Sequence, residues 1–341
     1  MRRFTGLSCS VVAERDNGRN TQRVKKVFAV ILNYNGYDDT IRCLKSIQNS
    51  SYKAVYSVIV DNASPDGSGE RLKNELSASK NNGYNSPEIT VILNSKNLGY
   101  AGGMNTGARY ALEHGADFVM YVNNDTEFTE TTIQEMAAVA DKDEKTGIVS
   151  PKVLYMDERE KIYCAGSRYL FYRCGNVSLG RGTDAKNNRN TEEEITHAEG
   201  ACLLIKKEVF LQVGFMKEFF FMYFEDLEYS LRVNRKFKIV YAPKAVLYHS
   251  SGAGKSFGDY SALYHYYFTR NRFLIFKDHN LAAKLYVILY SAAISAIKSV
   301  SVILSSDRKV ESLISLWNGF LTGLEYLLKL KKLDESKPLI R

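Results

Sequence analysis

Hydrophobic residues between Lys26 and Ala140 fall into short β-branched runs separated by stretches with helical spacing. The runs predict four buried strands: Val27–Leu32, Val55–Val60, Ile89–Leu93 and Phe118–Val122. The stretches with helical spacing predict the helices Asp39–Gln48, Asn105–His114 and Thr131–Ala140, the second of which ends at Gly115. Strands that alternate with helices are typical of βαβ units, so the pattern predicts an α/β fold with a mostly parallel central sheet flanked by helices.

Polar clusters follow the predicted strands where each strand ends. They are Asn33-Tyr34-Asn35, Asp61-Asn62, the segment from Asn97 to Asn105, and Asn123-Asn124-Asp125. Because ligands of parallel sheets bind at the carboxyl ends of the strands, clusters that share one edge predict a binding site there.

The chain after Gly147 has a mixed pattern. Residues 175–194 are rich in Gly, Asn and Glu and predict a surface excursion. The elements expected next are a strand over Glu199–Ile205, a helix over Lys206–Val213, a helix over Tyr229–Lys236 and a strand over Lys238–Ala242. Between them stands Phe219–Phe224, an apolar run that leads directly into Glu225-Asp226.

Two carboxylates beside an apolar run are candidates for acid–base chemistry. Desolvation in an apolar pocket raises the pKa of a carboxyl, which is a common way to tune a general base. The alternative for Glu225 and Asp226 is a helix start, where acids are favoured. Asp125 is equally ambiguous, since it could hold a divalent cation or form a turn before the next helix. His249 ends a strand and, taken alone, has no assigned role, as is true of His114, His197, His265 and His279.

The C-terminal part contains a long apolar stretch, Leu281–Leu304, which is long enough in principle to span a bilayer. Its polar residues Lys284, Ser291, Ser295 and Lys298 share one helical face. A second apolar stretch follows around Trp317. One polar stripe on an apolar helix indicates a helix that lies in a membrane interface or against the protein body, and a spanning helix stays open as a third alternative.

Composition narrows the class of protein. The chain has 341 residues, of which 45% are hydrophobic and 25% are charged, so disorder and coiled coils are excluded. Five cysteines without a CxxC pair and no signal-peptide pattern predict a reduced, cytoplasmic protein. The net charge is +8, with basic clusters in residues 1–26 and 227–280, which suits a diphosphate or a phospholipid surface. No nucleic-acid motif accompanies them, so we expect no nucleic-acid partner.

The motifs together resemble the family 2 inverting glycosyltransferases with the GT-A fold, a Rossmann-like architecture, and among them the rhamnosyltransferase-like, non-processive branch. The matching stretches, in family order, are AVILNYNGYDDTIRCLKSI, VIVDNASPDGS, NLGYAGGMNTGARYAL, YVNNDT, FFMYFEDLEYSLR and YHSSGAG. Asn123 replaces the first Asp of the family's DxD triplet, Met104 stands where many relatives have Arg, and no QxxRW motif is present.

The resemblance implies a role for each motif residue. Asn33, Tyr34, Asn35 and Asp61 would line the nucleoside pocket, and Asn97, Asn105, Asn123 and Asn124 would lie along the donor site. Asp125 would hold Mg²⁺ or Mn²⁺ against the diphosphate, and His249 could join the metal. Asp226 of the Glu225-Asp226 pair would be the general base.

The sequence therefore predicts a basic tail over 1–25, a GT-A catalytic domain over 26–255, and a helical, membrane-associating region over 256–341. The catalytic domain divides into a nucleotide-sugar half, 26–146, and an acceptor half, 147–255. The expected activity is metal-dependent transfer of one sugar from a TDP- or UDP-linked donor to a glycan or polyprenyl-linked acceptor, on the inner face of the membrane. The alternative is a non-catalytic nucleotide-sugar-binding or scaffold protein.

Overall fold

The computed structural model describes residues 23–79, 89–250 and 260–331. Most of the predicted tail lies outside these residues, as do Cys9, Ser251, Gly252 and Lys332. The strands are β1 Val27–Asn33, β2 Val55–Asp61, β3 Ile89–Leu93, β4 Phe118–Asn123, β5 Thr126–Phe128, β6 Thr146–Tyr155, β7 Ile162–Ala165, β8 Ser167–Leu170, β9 Gly175–Ser178, β10 Glu193–Ile195, β11 Cys202–Lys206 and β12 Lys238–His249. The helices are α1 Tyr37–Gln48, α2 Ser68–Ser79, α3 Gly99–Glu113, α4 Thr132–Asp141, α5 Lys207–Gln212, α6 Glu225–Val233, α7 Ala262–Ile275, α8 Leu281–Ser305 and α9 Lys309–Leu327.

A central sheet in the order β10-β12-β6-β11-β4-β1-β2-β3 organises the chain. Strands β3, β2, β1 and β4 are parallel neighbours, whereas β11 runs antiparallel between β4 and β6. The register aligns the strand ends, because Asn33 pairs with Asp61 and Leu32 pairs with Asn123. The α/β fold predicted from the hydrophobic pattern is confirmed, and its polar strand ends share one edge.

The core lies on both faces of this sheet. Alternate residues of β1 enter opposite clusters: Val27, Ala29 and Ile31 pack with α1 and α4, whereas Phe28 and Val30 pack with α3. This period-2 alternation is what a strand covered by helices on both sides requires.

Helix α3 begins at Gly99, well before the predicted start at Asn105. Glycines favour loops over helices, which is why the sequence pattern misses this first turn and a half. A side chain at Gly103 or Gly107 would collide with Leu32 or Val30 of β1. The glycines therefore let α3 pack directly on the sheet, and this close packing overrides their low helix propensity.

Other boundaries also differ from the prediction; β11, for example, begins at Cys202 and not at Glu199. Strand β12 continues to His249 because a register shift between Ala242 and Val246 accommodates Pro243 and the strand then resumes its pairing with β6. Helix α6 begins at Glu225, so the acid pair forms its first turn.

The C-terminal helices bury the apolar run that precedes the acid pair. Phe219, Phe220 and Phe224 join one cluster with Phe273 of α7 and Phe320 of α9. Ser291 and Ser295 of α8 are also buried. The polar stripe of α8 therefore faces the protein, and its outer side exposes Leu281, Leu285, Leu289, Ile297, Val300, Ile303 and Leu304.

Helix α7 binds the backbone of this apolar run. The buried Arg270 guanidinium donates to the carbonyls of Phe219 (3.2 Å) and Phe220 (2.8 Å). The amide nitrogen of Asn271 lies 3.0, 2.8 and 2.7 Å from the carbonyl oxygens of Phe220, Met222 and Tyr223. These contacts hold a segment in which Phe221, Tyr223 and Phe224 all have positive φ (65°, 64° and 69°), a conformation that costs free energy for L-residues.

The N-terminus of α3 contacts the same segment. Tyr100 N–H donates to the Phe221 carbonyl at 2.6 Å. Gly99 has φ +71°, and a Cβ there would collide with that carbonyl oxygen. A glycine is therefore required where α3 meets the backbone of Phe221.

We predict that Gly99→Ala destabilises the protein more than Gly115→Ala at the other end of α3. Both glycines have positive φ, which costs about 1–2 kcal/mol for alanine, but a Cβ at Gly115 meets nothing within 4 Å. The clash with Phe221 adds about 1–3 kcal/mol at Gly99. Urea unfolding of the two variants measures the difference, and equal losses of stability would contradict the close packing at Phe221.

Candidate active site

A pocket of about 850 Å³ opens where β4, β12 and the N-terminus of α6 meet. Its lining includes Asn123 at the end of β4, Asp125 just after it, and His249 at the end of β12. Glu225 and Asp226 at the start of α6 complete the set. Five residues selected from three distant sequence motifs therefore share one pocket.

Asp125 and His249 lie in direct contact. The His249 Nε2 is 3.1 Å from Asp125 Oδ1 and 3.5 Å from the Asn123 amide nitrogen. The pairing of β12 with β5 aligns His249 with Thr126, which places the imidazole beside Asp125. The amide oxygen of Asn123 is buried and has no hydrogen-bond partner among the described residues.

The chemistry of these donors fits a divalent cation. A carboxylate, an imidazole and an orphaned amide oxygen are ligand types that Mn²⁺ or Mg²⁺ accepts, and a bound diphosphate would supply further oxygens. The described residues contain no group of three or more His, Cys, Asp or Glu side chains at metal-binding distance. A cation at this site would therefore depend on the donor phosphates to complete its coordination.

The carboxylate of Asp226 is held by backbone donors. Its Oδ2 accepts from Gly200 N–H at 3.0 Å, and its Oδ1 accepts from Leu227 N–H at 2.8 Å. Glu225 next to it is buried, and its Oε2 has no hydrogen-bond partner among the described residues.

The two carboxyls have opposite pKa shifts. Burial, and then the adjacent charge of Asp226, raise the pKa of Glu225 well above its usual value. Burial also opposes ionisation of Asp226, but His197 and the N–H groups of Leu227 and Gly200 outweigh it and lower the pKa of Asp226. Of the two, Asp226 is therefore the carboxyl that ionises at lower pH, and an ionised carboxylate is what a general base requires.

His197 is a site residue that the sequence analysis left without a role. It lies between β10 and β11, is 1% exposed, and lines the pocket with its Nε2 3.4 Å from Asp226 Oδ2. No local pattern distinguishes it from the other histidines, so this contact is visible only after β11 and α6 are assembled.

Asn33 and Asp61 are buried and bonded to each other. The Asn33 amide donates to Asp61 Oδ1 at 2.7 Å and to Ser68 Oγ at 2.9 Å, and its oxygen accepts from Thr40 Oγ1 at 2.9 Å. Asp61 also accepts from the backbone N–H of Ser64 at 3.0 Å. These contacts join the loops after β1 and β2.

The loops after β1 and β2 border a second cleft of about 460 Å³. Its lining includes Asn35, Tyr37, Asp66 and Arg71. Asn35 has φ 56° and donates its backbone N–H to Ser64 Oγ at 3.0 Å. Tyr34 beside it is 48% exposed, so an aromatic face is available at this edge of the sheet.

Three other asparagines make internal bonds. The Asn97 oxygen accepts from Gly99 N–H at 2.8 Å, and the Asn124 amide donates to Thr40 Oγ1 at 3.0 Å. Asn105 is buried and bonds both the oxygen (2.9 Å) and the N–H (3.2 Å) of Met216. None of the three is among the residues that line the 850 Å³ pocket. In this structure they position the loops around it.

The predicted surface excursion forms part of the pocket wall. Asn176, Ser178 and Arg181 line the pocket together with Tyr163 and Glu199. Arg181 lies 3.6 Å from the Glu199 carboxylate and 4.4 Å from the centre of the Tyr163 ring. Helix α7 contributes Tyr264 and Phe268 to the same pocket. A polar wall and an aromatic wall therefore flank the acid pair.

Comparison with known proteins identifies the family of the chain. The model of the family "Glycosyl transferase family 2" matches residues 28–214, more than half of the chain. A low-salt glycan biosynthesis hexosyltransferase, Agl10, of Haloferax volcanii is 26% identical over 208 residues, and the match spans 61% of each chain. The dTDP-rhamnosyl transferase RfbF of Shigella flexneri is 24% identical over 84% of this chain and 90% of its own. An N-acetylglucosaminyl-diphospho-decaprenol L-rhamnosyltransferase of Mycobacterium tuberculosis is 23% identical over 66% of this chain and 76% of its own.

Solved structures share the fold. The mannosyltransferase PcManGT from Pyrobaculum calidifontis, solved with GDP-Man and Mn²⁺, superposes with a TM-score of 0.53 at 15% identity over 89% of this chain and 85% of its own. GalNAc-T7, solved with UDP, GalNAc and Mn²⁺, gives a TM-score of 0.61 at 15% identity over 90% of this chain and 56% of its own. The chain has the GT-A fold and belongs to glycosyl transferase family 2, in its rhamnosyltransferase-like part.

Proposed function

We propose that this glycosyltransferase is a metal-dependent inverting enzyme that moves one sugar, rhamnose or another hexose, from a nucleoside diphosphate to a glycan or lipid-linked acceptor in cell-surface polysaccharide synthesis. The observation that carries the proposal is the single pocket that contains both the ionised Asp226 and the Asp125–His249 pair. This pocket supplies a base for the acceptor hydroxyl and a binding site for the diphosphate.

The reaction follows from these positions. Asp226 accepts the proton of an acceptor hydroxyl while the hydroxyl oxygen forms a bond to the anomeric carbon. The bond from that carbon to the diphosphate oxygen breaks, and its electron pair leaves with the nucleoside diphosphate. Because the attacking oxygen enters opposite the leaving group, the anomeric configuration inverts.

Asp125 and His249 would hold the divalent cation, with the Asn123 amide oxygen as a further ligand. The cation, when bound, neutralises charge that develops on the leaving diphosphate. Two structural neighbours were solved with Mn²⁺, which supports a divalent metal for this chain.

The names of the relatives support a rhamnosyl donor and a lipid diphosphate acceptor. One is a dTDP-rhamnosyl transferase, and another acts on a decaprenyl diphosphate sugar. The aromatic wall of the pocket also reaches the C-terminal helices, because Lys298 Nζ of α8 lies 4.6 Å from the centre of the Phe268 ring. A lipid-linked acceptor at this wall would lie beside α8.

We further propose that the outer face of α8 and α9 binds the cytoplasmic surface of the membrane. Helix α8 is long and apolar enough to cross a bilayer by length and composition, and its polar side is buried against the protein. Exposed Leu289 and Ile297 of α8 and the partly exposed Trp317 of α9 present apolar and aromatic surface, and exposed Lys329 and Lys331 follow α9. Apolar surface with flanking lysines is typical of helices that bind an anionic membrane interface.

The first prediction that follows from this proposal concerns Asp226 as the general base. The assay supplies the protein with Mg²⁺ or Mn²⁺, an extract that contains lipid-linked acceptors, and one sugar nucleotide at a time from a panel of TDP-, UDP- and GDP-sugars. The protein should release nucleoside diphosphate from one class of donor. Asp226→Asn should lower kcat by about 10²- to 10⁴-fold, because the amide cannot accept the proton. Donor affinity, measured by calorimetry, should stay unchanged.

The matched control is Glu228→Gln, a carboxylate on the same helix that pairs with Arg232 at 2.6 Å and does not line the pocket. It should retain turnover. Equal activity of Asp226→Asn and the wild type would refute the assignment of the base. Tight nucleotide binding without turnover of any donor would favour a binding protein.

The second prediction concerns the metal. EDTA should abolish turnover and added Mn²⁺ should restore it, and Asp125→Asn should weaken Mn²⁺ binding at least about tenfold because a charged ligand is lost. Electron paramagnetic resonance of Mn²⁺ in the presence of nucleoside diphosphate measures binding without turnover. Asp157→Asn, at an exposed aspartate outside the pocket, is the control. Unchanged Mn²⁺ affinity in Asp125→Asn would exclude this site.

The third prediction concerns the membrane. Leu289→Glu combined with Ile297→Glu should reduce co-sedimentation with phosphatidylglycerol vesicles at least about tenfold, because each buried aliphatic side chain contributes roughly 1.5–3 kcal/mol. Leu211→Glu, at a leucine of α5 that is 77% exposed, is the control for an added charge. Equal sedimentation of the two variants would contradict the assignment of this face.

A further inference from the structure

The buried imidazole of His197 contacts the candidate base, Asp226. Its Nε2 lies 3.4 Å from Asp226 Oδ2. Apart from this contact, neither ring nitrogen has a hydrogen-bond partner among the described residues, although the residue is 1% exposed. A buried polar ring without other partners is costly for the fold, so stability alone does not account for a histidine at this position.

The backbone around His197 is fixed on both sides. His197 N–H donates to the Ser167 carbonyl at 3.1 Å, and Ala198 N–H lies 3.3 Å from Ser230 Oγ of α6. Gly200 N–H then donates to Asp226 itself. The segment from 197 to 200 therefore runs along the first turns of α6, and the position of the imidazole is set by backbone contacts.

We propose that His197 is a positioning residue for Asp226: its ring binds Oδ2 through Nε2, where a proton on the ring stabilises the carboxylate by its charge, and it leaves Oδ1 for the acceptor hydroxyl. Oδ2 is contacted by Gly200 N–H and by His197, whereas Oδ1 accepts one backbone N–H, from Leu227. Since a carboxylate oxygen has two lone pairs, Oδ1 retains the free one. The proposal rests on the assignment of Asp226 as base in the proposed function.

Other ionisable groups around Asp226 do not supply this charge. Glu225 on the same helix is an acid whose pKa is raised by burial, and Tyr100 of α3 donates its hydroxyl to the Gly200 carbonyl at 2.5 Å. On the pocket wall Arg181 lies 3.6 Å from the Glu199 carboxylate, and His249 contacts Asp125. Among the described residues that line the pocket, His197 is the basic side chain that contacts Asp226.

His197→Gln tests this role, because glutamine retains an N–H donor and loses the charge. An opposite charge within a few ångströms lowers the pKa of a carboxyl by roughly 1–3 units, so its loss should move the acidic limb of the kcat/KM profile upward by about one pH unit or more. The KM for the donor should stay unchanged. His265→Gln is the matched control, since His265 is also fully buried but does not line the pocket.

Circular dichroism at each pH limits the comparison to conditions in which all three proteins are folded. A limb that moves in His197→Gln and not in His265→Gln supports the proposal. A uniform loss of activity with an unmoved limb would show a merely structural role and overturn it.

A second measurement does not depend on turnover. In protein labelled with [¹³Cγ]aspartate, the Asp226 signal is the one that Asp226→Asn removes, and its titration midpoint should rise in His197→Gln by the same amount. If the wild type turns over no donor, the proposed function fails while this titration still decides the role of His197. An unchanged midpoint overturns the positioning role even if the enzyme is active.

Discussion

The position of Asp226, the proposed general base, depends on the hydrogen bonds that α7 makes to the backbone of residues 219–223. Left-handed conformations at Phe221, Tyr223 and Phe224 are unfavourable, so this segment needs partners that compensate for them. Arg270 and Asn271 supply these partners by donating to its carbonyls. Because these donors are buried, the bonds are shielded from competing water and fix the direction in which α6 begins. Asp226 enters the pocket as a result of contacts made by a helix far along the chain.

The buried surroundings also give the two adjacent carboxyls, Glu225 and Asp226, different tendencies to ionise. Both are desolvated, but Asp226 receives two backbone N–H groups and faces His197, whereas Glu225 has no comparable donor among the described residues. Ionisation of two neighbouring carboxyls in a buried site costs free energy, because the two charges repel each other. The carboxyl that accepts hydrogen bonds from backbone N–H groups therefore ionises more readily. The same low-dielectric surroundings that raise the pKa of Glu225 make the ionised state of Asp226 sensitive to each donor around it.

The polar clusters at the sheet edge combine support of the loops with contact to the pocket. Asn33 bonds the side chains of Asp61 and Ser68, whereas Asn97 and Asn105 bond backbone groups of Gly99 and Met216. An amide can serve in both ways because it offers a donor and an acceptor. Asn123, Asp125 and His249 face the pocket instead. Helix α8 has the opposite arrangement from an ordinary surface helix, since Ser291 and Ser295 are buried whereas Leu285 and Leu289 are exposed.

The sequence by itself determined the first four strands and their parallel arrangement, the shared sheet edge, the family, and the motif residues Asp125, Asp226 and His249. These follow from local hydrophobic periodicity and from the motifs carried by short segments, which are readable without knowing distant contacts. Tertiary structure decided which motif residues line the pocket, where α3 begins, and which carboxyl is ionised. The glycines of α3 have low helix propensity and form a helix because they pack closely on β1. His197 has no distinguishing local pattern and reaches Asp226 because residues 197–200 run along the first turns of α6 in the fold. The pKa values depend on the burial and charges that folding assembles.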